Sequence, residues 1–245
     1  ITRVRLEQEL LSSAISEVKK EIPKSLDLDA NGDGLVDSIT FVVAGQNSAW
    51  NGILWSHKWY FQKLSDTEEI VSINGIQANE YTFIMEEELI SGSRPVGVLA
   101  HEMFHLYGAP DLYHHYNTKN PVGNWDIMSK SKGQMPCVYM RYKYGGWIEE
   151  IPEIKKNGRY TLNKASMSNG NSYCIRYTFS VNEYFVLEFR KREGVFEKRE
   201  SGVIPGTGLV IYKIDTRATG NSQHDGKTNF NEVAITNHQP DEKYY

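Results

Sequence analysis

A chain of 245 residues that is 40% hydrophobic and 24% charged carries enough apolar material for a folded core, which excludes an intrinsically disordered polymer. Its 27 Lys and Arg against 31 Asp and Glu give a formal net charge of -4, so no cationic footprint marks a nucleic acid or an anionic membrane as partner. No apolar run reaches the roughly 18 residues that a membrane helix needs, and no basic-then-apolar signal segment opens the chain. The abrupt start at Ile1-Thr2-Arg3 and the end at Tyr244-Tyr245 are those expected of a piece of a longer precursor. The cysteines Cys137 and Cys174 have a spacing that fits no zinc ribbon and allow at most one disulfide, which the sequence leaves open.

In chain order, Val4, Leu6, Leu10, Leu11, Ile15 and Val18 fall at helical spacing and predict an amphipathic helix over 4–20. An acidic, Gly-rich turn at Asp27 to Asp37 leads into Ser38 to Ala44, whose β-branched and aromatic content predicts a buried strand. Further strands are expected at Ile53 to Tyr60 and Glu80 to Met85. Ser91-Gly92-Ser93-Arg94-Pro95 reads as a helix entry, since Ser caps exposed amides and Pro suits the first turn; the helix itself is expected from Val96 to Tyr107. Past residue 150 the character changes. Short β-type runs at Arg159 to Leu162, Tyr173 to Phe179, Glu183 to Phe189 and Gly208 to Ile214 are parted by Asn/Gly or Pro/Gly clusters. The expected organisation is a main domain at 1–150 and a β-rich region at 151–245, with Ile151-Pro152 able to serve equally as a tight turn inside one domain.

The chemistry concentrates in His101-Glu102-Met103-Phe104-His105-Leu106-Tyr107-Gly108-Ala109-Pro110-Asp111. Residues i and i+4 on a helix share a face, so His101 and His105 can share one tetrahedral zinc ion. Glu102 lies beside that face, where it can accept a proton from a water that the metal activates without itself being a ligand. Gly108 suits the left-handed conformation that ends helices, and the turn directs Asp111 back toward the metal as third ligand. Two imidazoles and a carboxylate leave a fourth position open, which is the signature of a catalytic rather than a structural zinc site. His114, His115 and Asp126 are alternative third ligands. Tyr113, Tyr116 and His57 are candidate donors to an oxyanion, and spacing does not rank them.

A second constellation runs from Asp27 to Asp37. Oxygen-bearing groups at Asp29, Asn31, Asp33, the Leu35 carbonyl and Asp37, with Gly34 allowing a sharp turn, resemble a calcium loop. Several carboxylates in one short turn repel each other, and a bound cation relieves the repulsion. Position 12 is not Glu, so this is no full EF-hand.

The long zinc motif with Asp111, and Asp126-Ile127-Met128-Ser129 downstream, resemble the metzincin-like immune inhibitor A family of bacterial secreted metalloproteases. Also similar are the Asp29 to Asp37 turn, Ile53-Leu54-Trp55-Ser56-His57, Pro110-Asp111-Leu112-Tyr113, Gly145-Gly146-Trp147, Glu183 to Glu188 and Pro205 to Leu209, so the resemblance covers most of 25–216. It implies an α+β fold: a zinc protease domain with a twisted mixed sheet, a long N-terminal helix and an active-site helix, then a small β-rich region. It also implies catalytic zinc, structural calcium, export from a bacterium, and Met128 as an apolar floor beneath the zinc histidines. Leu106-Tyr107 and the cluster Tyr113-His114-His115-Tyr116 depart from the family pattern, so substrate preference is not carried over. The expected activity is that of a monomeric endopeptidase acting on protein or peptide substrates with Glu102 as general base. The rival readings are a catalytically silent binding or adhesion module on the same fold and a zinc hydrolase for non-peptide amides.

Overall fold

The apolar spacing at the N-terminus does build a helix, α1, at Arg3–Val18, but its buried stripe is Glu7, Gln8, Leu11 and Ile15. Leu6, Leu10 and Val18 stay exposed, so two polar side chains share the stripe with the apolar ones. The structure is a computed structural model that describes residues 3–45, 54–63, 65, 69–90, 96–115, 120–166, 173–176, 180–198, 203–222 and 230–236. It is a mixed α and β protein with small sheets and few helices, and the chain forms two compact units, Ile1–Leu106 and Tyr107–Tyr245. The change of character near residue 150 falls inside the second unit.

The first unit holds strands β1 (Ile39–Val43), β2 (His57–Tyr60), β3 (Ser72–Ile73), β4 (Ile76–Gln77) and β5 (Glu80–Met85), then helices α2 (Glu86–Ile90) and α3 (Gly97–Leu106). β5 is the central strand of a mixed three-stranded sheet. It runs parallel to β1, with Ile39 opposite Tyr81, and antiparallel to β2, with His57 opposite Phe83. Its residues 81–85 are all buried, which is why it reads as an unbroken apolar run rather than an alternating one. Tyr81, Phe83 and Met85 on one face join Leu11, Ile15, Phe61, Ile73 and Ala78 in the core. β3 and β4 form a hairpin whose two-residue turn, Asn74-Gly75, has positive φ at both positions (52° and 91°), the geometry for which Asn-Gly is favoured.

β2 begins at His57, later than the expected strand. Ile53 lies outside the described residues, and at Ser56 the side-chain hydroxyl accepts the Met85 amide at 3.0 Å, taking the place of a ladder carbonyl. His57 is itself built into the core. Its Nδ1 meets the Trp55 carbonyl at 2.7 Å and its Nε2 meets Glu7 Oε1 at 3.0 Å. The Tyr81 hydroxyl donates to the same Glu7 oxygen at 2.6 Å, and the His57 ring stacks with those of Trp55 and Phe83. This buried carboxylate thus docks α1 onto both β2 and β5.

The second unit holds α4 (Val138–Lys143), β6 (Tyr173–Arg176), β7 (Glu183–Arg190), α5 (Gly194–Glu197), β8 (Gly208–Asp215) and β9 (Val233–Ile235). Among the described residues its strands form one antiparallel sheet in the order β6-β7-β8-β9. The β-type run Arg159 to Leu162 is not a strand. β6 covers that edge of β7 from Tyr184 to Leu187, and only the end is left, where the Phe189 carbonyl accepts the Ala165 amide at 2.9 Å. Residues 177–179, expected to continue β6, lie outside the described residues. Arg190, fully buried, is held by Glu197 and Glu188 and by the carbonyls of Trp125 (2.9 Å) and Met135 (3.2 Å), so each charge has its partners. Cys137 is a buried free thiol.

Burial alone would raise the pKa of Glu7, but the hydrogen bonds from His57 and Tyr81, with the electrostatic pull of His57 and Arg3, hold it below its ordinary value. A carboxyl depressed on folding contributes stability that is fully present above its unfolded pKa and is lost as pH falls through the folded one. Glu7→Ala should therefore lower the unfolding free energy by about 1–3 kcal/mol at neutral pH in urea titrations. The gap to wild type should shrink on acidification below the ordinary carboxylate range; a gap of constant size would show that the charge of Glu7 contributes nothing.

Candidate metal centre

Helix α3 packs against β5 and β2, so one of its faces is turned from water. Its buried residues are Gly97, His101, Glu102 and Phe104, of which Gly97, His101 and Phe104 keep the i, i+4, i+7 spacing of a helical stripe. His101 and Glu102 are 5% and 8% exposed, and His105 is half-buried. Being one turn apart, the two rings lie with centroids 4.8 Å apart and planes at 89°. The nitrogen and carboxylate atoms of His101, Glu102 and His105 all fall within 4.8 Å of one another. Among the described residues no other trio of His, Cys, Asp or Glu side chains is grouped in this way. Two imidazoles beside a carboxylate form a nitrogen and oxygen donor set suited to zinc, so the residues fit the metal that the motif implies.

Past the helix end, Gly108 has φ 83°, the left-handed conformation that a chain-reversing residue requires. A Cβ there would meet nothing closer than Tyr144 at 4.0 Å, so the backbone angle and not space calls for glycine. Asp111 belongs to the second unit and is not one of the three grouped side chains. Its backbone is firmly placed. The Asp111 carbonyl accepts the Asn221 amide at 2.8 Å, and the next amide, of Leu112, donates to the Met128 carbonyl at 2.9 Å. The Asp111 carboxylate meets His115 Nε2 at 3.3 Å, and this contact raises the His115 pKa against the opposing effect of burial.

The alternative ligands have other engagements. His114 is buried, with Nε2 at 2.6 Å from Asn231 Oδ1. Asp126 is fully buried and its two carboxylate oxygens accept the amides of Met128 (2.7 Å) and Cys137 (2.6 Å), which closes the Asp126–Ser129 turn. Met128 is fully buried in that turn. Of the candidate oxyanion donors, His57 has both ring nitrogens engaged by Trp55 and Glu7, Tyr113 leans on His115 with ring centroids 5.1 Å apart, and Tyr116 lies outside the described residues.

The acidic loop is ordered by its own side chains. Asp29 accepts the amides of Asp33 and Gly34 at 2.9 Å each, Asn31 accepts that of Asp33, Asp33 accepts that of Leu35, and Asp37 accepts that of Ala30 at 2.9 Å. Gly32 and Gly34 supply positive φ, and the Val36 amide ties the loop to the carbonyl of Gln77 in β4.

Sequence reasoning passed over Gly220, Asn221 and Glu232. Asn221 Nδ2 donates to the Leu112 carbonyl at 2.9 Å across a separation of 109 residues, and no local pattern at either end announces such a pairing.

Residues 24–136 match the family model described as immune inhibitor A peptidase M6, catalytic domain. The resemblance to immune inhibitor A-type metalloproteases stands on that match, which spans the acidic loop, α3 and the Asp126–Ser129 turn and supports a metallopeptidase function. Among curated proteins none matches the chain.

Proposed function

We propose that this chain is a secreted, metzincin-like zinc endopeptidase of protein and peptide substrates, with His101, His105 and Asp111 as metal ligands and Glu102 as general base. The observation that carries the reading is the grouping of His101, Glu102 and His105 within 4.8 Å on the buried face of α3, inside the matched segment. Asp111 enters from the spacing of the motif, three residues beyond Gly108. The catalytic portion is taken as 1–150, with 151–245 as a β-rich region; among the described residues no helix is long and apolar enough to cross a membrane.

Bound zinc would supply Lewis acidity at the scissile carbonyl and make an attacking water more acidic. Glu102 then takes the proton from that water and delivers it to the leaving amine, a task for which a buried carboxylate beside the ligand face is suited. A carboxylate as third ligand leaves less net positive charge to acidify the water than a third imidazole would, which places more of the deprotonation on Glu102. A module that only binds has no use for a base in this position, so the intact Glu102 favours the enzyme over a silent adhesion domain.

Glu102→Gln should reduce casein hydrolysis by about 10²–10⁴-fold while zinc content, read by atomic absorption, stays at the wild-type level. Retention of wild-type turnover in that variant would remove Glu102 from the mechanism. His101→Ala and His105→Ala should instead lose the metal along with the activity.

The same reading assigns a structural calcium ion to Asp29, Asn31, Asp33, the Leu35 carbonyl and Asp37, an all-oxygen donor set in a turn opened by two glycines. Calcium added to metal-stripped protein should raise the melting temperature by several degrees, as a ligand selective for the native state does, and Asp33→Ala should abolish the rise. Identical melting curves with and without calcium would dismiss this site.

A further inference from the structure

We infer that Gly220 and Asn221, on the connection between β8 and β9, position Asp111 for metal binding. The inference rests on the reading of Asp111 as a ligand. All the contacts that carry it lie within the second unit.

Asn221 is 1% exposed and directs its polar atoms at main chain. Its amide donates to the Asp111 carbonyl at 2.8 Å. Its side-chain Nδ2 donates to both the Leu112 carbonyl (2.9 Å) and the Val233 carbonyl (2.7 Å), and its Oδ1 accepts the Val233 amide at 3.3 Å. One side chain thereby bridges the backbone at Leu112 to the first residue of β9. With the Leu112 amide bonded to Met128, both polar groups of Leu112 and the carbonyl of Asp111 are fixed. An aspartate has only two side-chain torsions, so fixing its backbone confines the region its carboxylate can reach.

Gly220 makes this approach possible. Its φ is 70°, and a Cβ placed on it would stand 2.7 Å from Pro110 Cβ and 2.8 Å from the Asp111 carbonyl oxygen. Any larger residue would push the loop off the Pro110–Asp111 backbone. The loop is held from behind by Glu232, fully buried, whose carboxylate accepts the Gly220 amide and the hydroxyls of Tyr139 (3.1 Å) and Tyr144 (2.8 Å). Gly220, Asn221 and Glu232 all lie beyond the matched residues 24–136, so this part of the support for Asp111 comes from outside the matched segment.

The test uses the full chain and zinc itself, with the dissociation constant read by competition with a chromophoric chelator and the ligand field read from the visible spectrum of the cobalt(II)-substituted protein. Asn221→Ala and Gly220→Ala should each weaken zinc binding by about 10–100-fold, the usual effect of removing a group that orients a ligand, and should alter the cobalt bands. Tyr212→Phe, which removes a buried hydroxyl bonded to Glu188 at 3.1 Å in the same sheet, should lower the melting temperature without changing zinc affinity. If Asn221→Ala does not fold, Asn221→Asp, which keeps the acceptor and loses the Nδ2 donor, is read in its place. Wild-type zinc affinity in a folded Asn221 variant, with affinity lost in Asp111→Ala, overturns the positioning role alone. Unchanged affinity in Asp111→Ala overturns the ligand assignment and this inference with it.

Discussion

Helix α3, which packs against β5 and β2, has to bury two polar side chains, His101 and Glu102, and half-bury a third, His105. Taking such groups out of water costs roughly 1–3 kcal/mol each unless partners replace the lost hydration. A helix under that constraint needs a stiff backing, and β5 provides one: bonded on both edges and buried along residues 81–85, it cannot yield without breaking two ladders. Glu7 extends the same logic to α1, since its carboxylate ties that helix to His57 on one strand and Tyr81 on the next. In the proposed reading a divalent cation is the partner that both imidazoles of α3 share.

The second unit solves a different problem. Among the described residues of its segment 108–135, a short 3-10 turn at Gly123–Trp125 is the one stretch of regular structure, so backbone groups there must be met by side chains. Asp126 accepts two amides, Asn120 accepts that of Gly123 at 2.8 Å, Gln134 donates to the carbonyls of Asp126 (3.0 Å) and Lys130 (2.7 Å), and Asn221 clamps Asp111 and Leu112. Arg190, reaching the Trp125 and Met135 carbonyls from the end of β7, binds the same segment to the sheet. The β-rich region therefore acts as scaffold for irregular chain that carries Asp111 and Met128.

Local patterns in the sequence carried the elements whose contacts are local. Glu80–Met85 is a strand over the expected residues, α1 and α3 fall within two residues of their expected ends, and the i, i+4 histidines meet as their spacing requires. Arg159 to Leu162 has strand-like residues, but β6 already lies along β7, and it is Lys164 and Ala165 that meet that strand, at Phe189. Helix α4 is hard to read from sequence since Val138 and Tyr139 suit strands as well as helices, and in the β3–β4 hairpin only the Asn74-Gly75 turn is a strong local signal, its strands being two residues each. The clamp on Asp111 joins residues 109 apart in sequence, and the buried role of Asp126 depends on amides two and eleven residues away, so neither was legible from composition or period.

The central claim is that His101, His105 and Asp111 converge on one zinc ion, and anomalous diffraction at the zinc absorption edge from crystals grown with the metal tests it most directly. The account predicts a single strong peak about 2.0–2.2 Å from a ring nitrogen of each histidine and from a carboxylate oxygen of Asp111. A peak bound by other side chains, or none between these three, would contradict it.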